Sequence, residues 1–179
     1  MNALNAVPRG KPDAVSAATA SGIVLSDLAA RSSREAFSRS DTERVVHVLT
    51  TMRRALLQLE GIVPVDAELL ERNSTAGLVI ERVLANLMDM VFDVNCHVSG
   101  RGRTSGSFEK SCDAAIAAGL IDRELADALL PSEGPHHVVM QLSLDTEPEL
   151  VEIVVARALV AFQEYERRAA GWVARPIEP

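Results

Sequence analysis

Residues 66–98 read DAELLERNSTAGLVIERVLANLMDMVFDVNCHV, and the apolar spacing within them decides the fold class. Ile80, Leu84, Leu87, Val91, Val94 and Val98 recur at intervals of three and four, the period that gathers side chains on one face of an α-helix. Val83, Met88, Met90 and Phe92 widen that stripe. A helix apolar over so much of its circumference must be covered on more than one side, by neighbouring helices or by a second subunit. Asp66 is placed to cap its first turn. The expectation is an all-α protein, and a homodimer built mainly on residues 78–98.

Working toward the N-terminus, Gly61 and Pro64 separate this helix from another, in which Val45, Leu49, Met52, Leu56 and Leu59 share a face. Asp41 is the expected N-cap. Residues 1–40 are rich in Ala and Ser and carry Pro8 and Pro12, a composition that buries little surface, so they read as an extension, mobile over 1–20. Within it LSDLAARSSREAF, residues 25–37, predicts a short helix capped by Ser26, with Leu28 and Phe37 available for packing. Residues 41–179 form the expected helical domain.

Toward the C-terminus, SGRGRTSG at 99–106 is a solvated loop whose Arg101 and Arg103 are the candidate RNA contacts. SFEKSCDAAIAAG at 107–119 places Phe108, Cys112, Ala115 and Ile116 on one face and closes on Gly119. Asp122 caps a short helix ending at Pro131. The last helix starts near Glu147 and Pro148 and carries Val151, Val154, Ala158, Phe162, Tyr165 and Trp172 at helical spacing. No segment alternates with period two. The architecture predicted is a bundle of four or five helices with one long connection.

Composition excludes several function classes. A formal charge of -7 has the wrong sign for a protein that coats nucleic acid through phosphate contacts. Aromatics are only 3%, so the core must be built from aliphatic residues. Cys96 and Cys112, the only cysteines, show neither metal-ligand spacing nor the density of a disulfide framework, which points to reduced thiols in a cytoplasmic protein. No apolar run reaches the roughly 20 residues that span a bilayer.

The long connection holds GPHHVVMQLSLD at 134–145. The helix opening with Asp, the 66–98 segment, the Gly-rich loop, FEKSCDAAIAAGLIDRELADALL and the short motif before LDTEPELVEIV together resemble HepT-like proteins of the HEPN superfamily. Those are helical-bundle ribonucleases of toxin–antitoxin modules, and the likeness covers roughly residues 41–172. It implies a HEPN-like bundle, a homodimer, a minimal nucleotidyltransferase partner and no cofactor. In the family this segment reads Gly-Phe-Arg-Asn, about three apolar residues, then His-x-Tyr. The resemblance implies that the arginine holds the scissile phosphate, the histidine moves the proton for 2′-hydroxyl attack and the tyrosine receives the silencing nucleotide.

Each of those chemical positions differs here. Pro135 stands for the aromatic residue, His136 for the arginine, His137 for the asparagine, Gln141 for the proton-transferring histidine and Ser143 for the modifiable tyrosine. Glutamine exchanges no proton near neutral pH, and neutral histidine replaces a bidentate guanidinium poorly. The expectation is a catalytically degenerate protein that acts by binding. The alternative is an active ribonuclease in which His136 or His137 donates the proton and Arg101 or Arg103 reaches the phosphate. The adjacent histidines lack a matching Cys or Asp pair, so no native metal site is expected. Glu71-Arg72-Asn73 has no histidine within six residues to complete a second motif, and His47 and His97 read as surface or packing residues.

Overall fold

The computed structural model describes residues 30–32, 37–63, 74–100, 107–130 and 148–175. Among them the secondary structure is entirely helical: α1 Arg39–Glu60, α2 Ser74–Val98, α3 Phe108–Ala117, α4 Arg123–Leu129 and α5 Pro148–Ala174. Residues 30–32, inside the stretch expected to form a short N-terminal helix, are helical as well. The caps expected at Ser26 and Asp66, the breaks at Pro64 and Pro131, and residues 1–20 lie outside the described residues.

The start of α1 corrects the sequence reading. Ser38 is the N-cap, and Asp41 is the third residue of the first turn. The Asp41 amide donates to Ser38 Oγ (3.1 Å) and the Ser38 amide donates back to Asp41 Oδ2 (3.1 Å), a reciprocal capping box. Asp41 is acidic and short, so it suits either place. The Ser-x-x-Asp spacing at 38–41 was the signal that separates them. Three residues earlier is almost one turn, so the helix gains two satisfied amides.

The predicted stripes form the core. Val45, Met52 and Leu59 of α1 and Ile80, Leu84, Leu87, Val91, Val94 and Val98 of α2 are all fully buried. α2 packs against α1 and α3 and more lightly against α5. Its stripe is therefore buried in a single chain, leaving Leu78 and Val79 as its exposed large apolar residues. The broad stripe alone thus does not require a second subunit.

α3 ends in a Schellman motif. Gly119 takes φ +68°, the Gly119 amide donates to the Ile116 carbonyl (2.9 Å) and the Leu120 amide to the Ala115 carbonyl (3.0 Å). Ala118 is the cap residue, with the predicted Gly119 one place beyond it. The reversal delivers Asp122, whose Oδ1 accepts from the Leu125 amide (2.9 Å) as N-cap of α4. α5 begins with Pro148, whose missing N–H costs nothing in a first turn. Its Trp172 indole donates to the Ala118 carbonyl (3.0 Å) and meets Phe37 edge to face at 5.0 Å.

Candidate functional site

The motif residues His136, His137, Gln141 and Ser143, and the loop arginines Arg101 and Arg103, lie outside the described residues. The nearest described residues are Gly100 and Ser107 around the arginines and Leu130 and Pro148 around the motif. Gln163 of α5 donates to Glu60 at the end of α1 (2.6 Å), and Glu166 pairs with Arg53 about two turns earlier, so α1 and α5 are antiparallel. At the start of α1, Asp41 meets His97 in the last turn of α2 (3.4 Å), so these two helices are antiparallel as well. α2 and α5 therefore run parallel. Gly100 ends level with the last turns of α5, whereas Pro148 is its first residue. The 27 residues of α5 measure roughly 40 Å, and most of that length separates the two.

α4 lies antiparallel to α5, with Asp122 paired to Arg168. Leu130 and Pro148, which bracket residues 131–147, both fall beside the N-terminal half of α5. Between α4 and that half runs an open groove of about 900 Å3, with Leu125, Ala128 and Ala161 among its apolar lining and Glu124, Arg157 and Glu164 among its charges. The groove belongs to the flanks of the motif stretch; sequence reasoning did not foresee it.

Two carboxylates at the groove, Glu164 and Asp122, are not suited to proton transfer. Arg167 and Arg168 both donate to Glu164, at 2.6 to 2.8 Å, and these hydrogen bonds hold its carboxyl down at about 2. Asp122 is lowered too, first by the Leu125 amide and then by Arg168. Both carboxylates stay ionised near neutral pH, and the Arg168–Asp122 pair clamps α5 to the start of α4. The i,i+3 and i,i+4 spacing of Glu164 with Arg167 and Arg168 was legible in the sequence as a helical ion-pair pattern. Arg157 makes no ion pair among the described residues.

The remaining reactive side chains are committed elsewhere. Tyr165, the chain's single tyrosine, is fully buried and donates to Asn95 Oδ1 (2.6 Å). Burial pushes its phenol well above the ordinary value. Asn95, also fully buried, donates from Nδ2 to Ser111 Oγ (3.2 Å), and Ser111 Oγ donates to the Phe108 carbonyl (2.6 Å). This polar chain ties α2, α3 and α5 together inside an aliphatic core. Burial raises the Cys112 thiol to about 11, which removes it as a nucleophile near neutral pH. His97 is half-buried, with Nδ1 toward Asp41 and Nε2 3.9 Å from Asp93, at the end of the bundle remote from Pro148. His47 is exposed on α1. Neither histidine shares a cluster of three metal-binding side chains among the described residues. Among those residues, too, no helix is long and apolar enough to cross a membrane.

No family model matches the chain, and no curated protein matches it. The class defined by fold and site is therefore a bundle of helices with an open groove between α4 and the N-terminal half of α5.

Proposed function

We propose that this chain is a HepT-like protein of the HEPN superfamily, of the toxin–antitoxin kind, that acts through protein binding and not through RNA cleavage. Its partners in this reading are a second copy of itself and a minimal nucleotidyltransferase. The observation that carries the reading is the substitution pattern of residues 134–143: His136 replaces the phosphate-holding arginine, and Gln141 replaces the proton-transferring histidine. The order and lengths of the helices support the family half of the proposal, and the charge of -7 supports a partner other than RNA.

One observation favours binding over the variant ribonuclease that would use His136 or His137 with Arg101 or Arg103. Glu164 in the groove and Asp122 beside it are held ionised by hydrogen bonds, so neither is poised as a general acid. The silencing chemistry of the family is changed as well: Ser143 has no phenol, and the only tyrosine is buried in the core.

The test restores the chemistry. Purified wild-type protein is expected to cleave RNA no faster than a mock preparation. The triple change His136→Arg, His137→Asn and Gln141→His returns a charged fork and a titrating imidazole, each worth on the order of 2 to 4 kcal/mol to the transition state. Cleavage or growth arrest is expected to appear with the triple change. Metal-independent cleavage by the wild type, abolished by His136→Ala or His137→Ala, would establish the ribonuclease instead.

A further inference from the structure

We infer that the groove between α4 and the N-terminal half of α5 is a binding site for a small amphipathic carboxylate, an unbranched acyl chain with one terminal acid group. The site is independent of the family reading. Its volume of about 900 Å3 falls within the range of pockets that take small organic molecules, roughly 300 to 1,000 Å3. Leu125, Ala128, Val154, Val160 and Ala161 give it an apolar lining. Val160 is 65% exposed and Ala128 is exposed as well, so an acyl chain lying here removes from water apolar surface that the described residues leave uncovered.

The charges select the head group and the direction of the chain. Among the described residues, Glu124, Arg157, Glu164 and Arg168 are the charged side chains that line the groove. Glu164 accepts from Arg167 and Arg168, and Arg168 also donates to Asp122, so these groups are already satisfied. Arg157 and Glu124 make no hydrogen bond or ion pair among the described residues. Glu124 follows Asp122 by two residues and so stands at the Arg168 end, where the guanidiniums of Arg167 and Arg168 offset its charge. Arg157 precedes Arg168 by eleven residues, about 16 Å along the helix. The groove therefore holds one unmatched cation at one end, with an apolar wall leading away from it. The planar fork of Arg157 suits a carboxylate through two parallel hydrogen bonds. A doubly charged phosphate would bring a second negative charge that no other unpaired cation of the groove meets. Glu124 repels the head group from the opposite end, so the acyl chain runs from Arg157 toward Leu125.

The experiment is calorimetric titration of the full chain with decanoate, kept below its micelle concentration. Wild type is expected to show one saturable site per chain. Decan-1-ol, the same chain without the charge, should bind about five- to tenfold more weakly, and decylamine more weakly than the alcohol. Shortening the acid to octanoate should weaken binding by about two- to fourfold for each methylene removed. Arg157→Gln, at an exposed position, should bring decanoate down to the level of decan-1-ol and leave the alcohol unchanged. Ala128→Trp fills the groove from an exposed position and should weaken both ligands at least about tenfold. Circular dichroism checks that both variants keep the helix content of the wild type. No saturable binding, equal affinity for acid and alcohol, tighter binding of the amine, or decanoate affinity unchanged in either folded variant would each overturn the proposal. Neither variant alters residues 134–143, so a failed groove and a failed family reading give different results.

Discussion

The two halves of α5 are built on opposite terms. From Phe162 onward the helix is held on several sides: Tyr165 in the polar chain with Asn95, Glu166 on Arg53, Arg168 on Asp122, and Trp172 under Phe37 and against Ala118. From Val151 to Ala161 it has one buried face and one that offers Ile153 and Val160 to solvent. The C-terminal half is thus saturated by its own chain, and the N-terminal half has apolar surface and a cation left over. A single helix can serve as both scaffold and contact surface because its two faces and its two halves are independent of each other in sequence.

The sharpest way to break the comparison is to truncate one residue in each half. Trp172→Ala removes a large buried ring, an edge-to-face contact and a hydrogen bond, and is expected to destabilise the fold by about 3 to 5 kcal/mol. Ile153→Ser removes a large apolar side chain too, yet should lower the unfolding free energy by less than about 0.5 kcal/mol in monomeric conditions. Urea titration followed by far-ultraviolet circular dichroism measures both. Equal losses at the two positions would erase the distinction.

A smaller effect is expected at the polar chain. Tyr165→Phe keeps the ring's packing but leaves Asn95 Oδ1 without its buried donor, a cost of about 1 to 3 kcal/mol. The same titration reads it, and a neutral result would mean that water or another donor replaces the phenol.

The smallest effect is electrostatic. Glu164 has its folded value depressed from 4.5 to about 2, so its stabilising contribution is fully present above pH 4.5 and is lost as pH falls toward 2. Asp122 and Asp41 are shifted in the same direction. Because Glu164 is partly exposed, solvent screening holds its share to less than about 1 kcal/mol. Glu164→Gln should flatten the fall in thermal midpoint between pH 4.5 and pH 2 and should do so less at high salt. An unchanged slope would show that the ion pairs do not couple to folding.

Much of this fold was legible in the sequence because it depends on period alone. The stripes of α1 and α2 were readable residue by residue, since burial follows spacing wherever a helix has a single dominant apolar face. Caps were less so: Ser38 and Asp41 are both good caps, and the Ser-x-x-Asp spacing, which the structure shows as a capping box, decides between them. Asn95 gave no signal, because a lone polar residue inside an apolar stripe acquires its meaning from Tyr165, seventy residues away. The outer face of α5 was hidden for a related reason. Ile153 and Val160 satisfy the same helical period as the core, and which of two apolar faces points inward is a property of the neighbouring helices. The motif at 134–143 stands apart from these, since its reading rests on residue chemistry and not on periodicity.

One consequence concerns how this protein can be watched. Its only tryptophan and its only tyrosine, Trp172 and Tyr165, sit two turns apart and buried in the C-terminal half of α5. Intrinsic fluorescence therefore reports one neighbourhood, an emitter shielded from water with a phenol close enough to feed it excitation. The groove beside α4, the surface around Val160 and the whole of α2 outside its last turns carry neither chromophore. Whatever docks there is optically silent unless it disturbs the far end of the same helix, and a label placed at Val160 would be the natural complement.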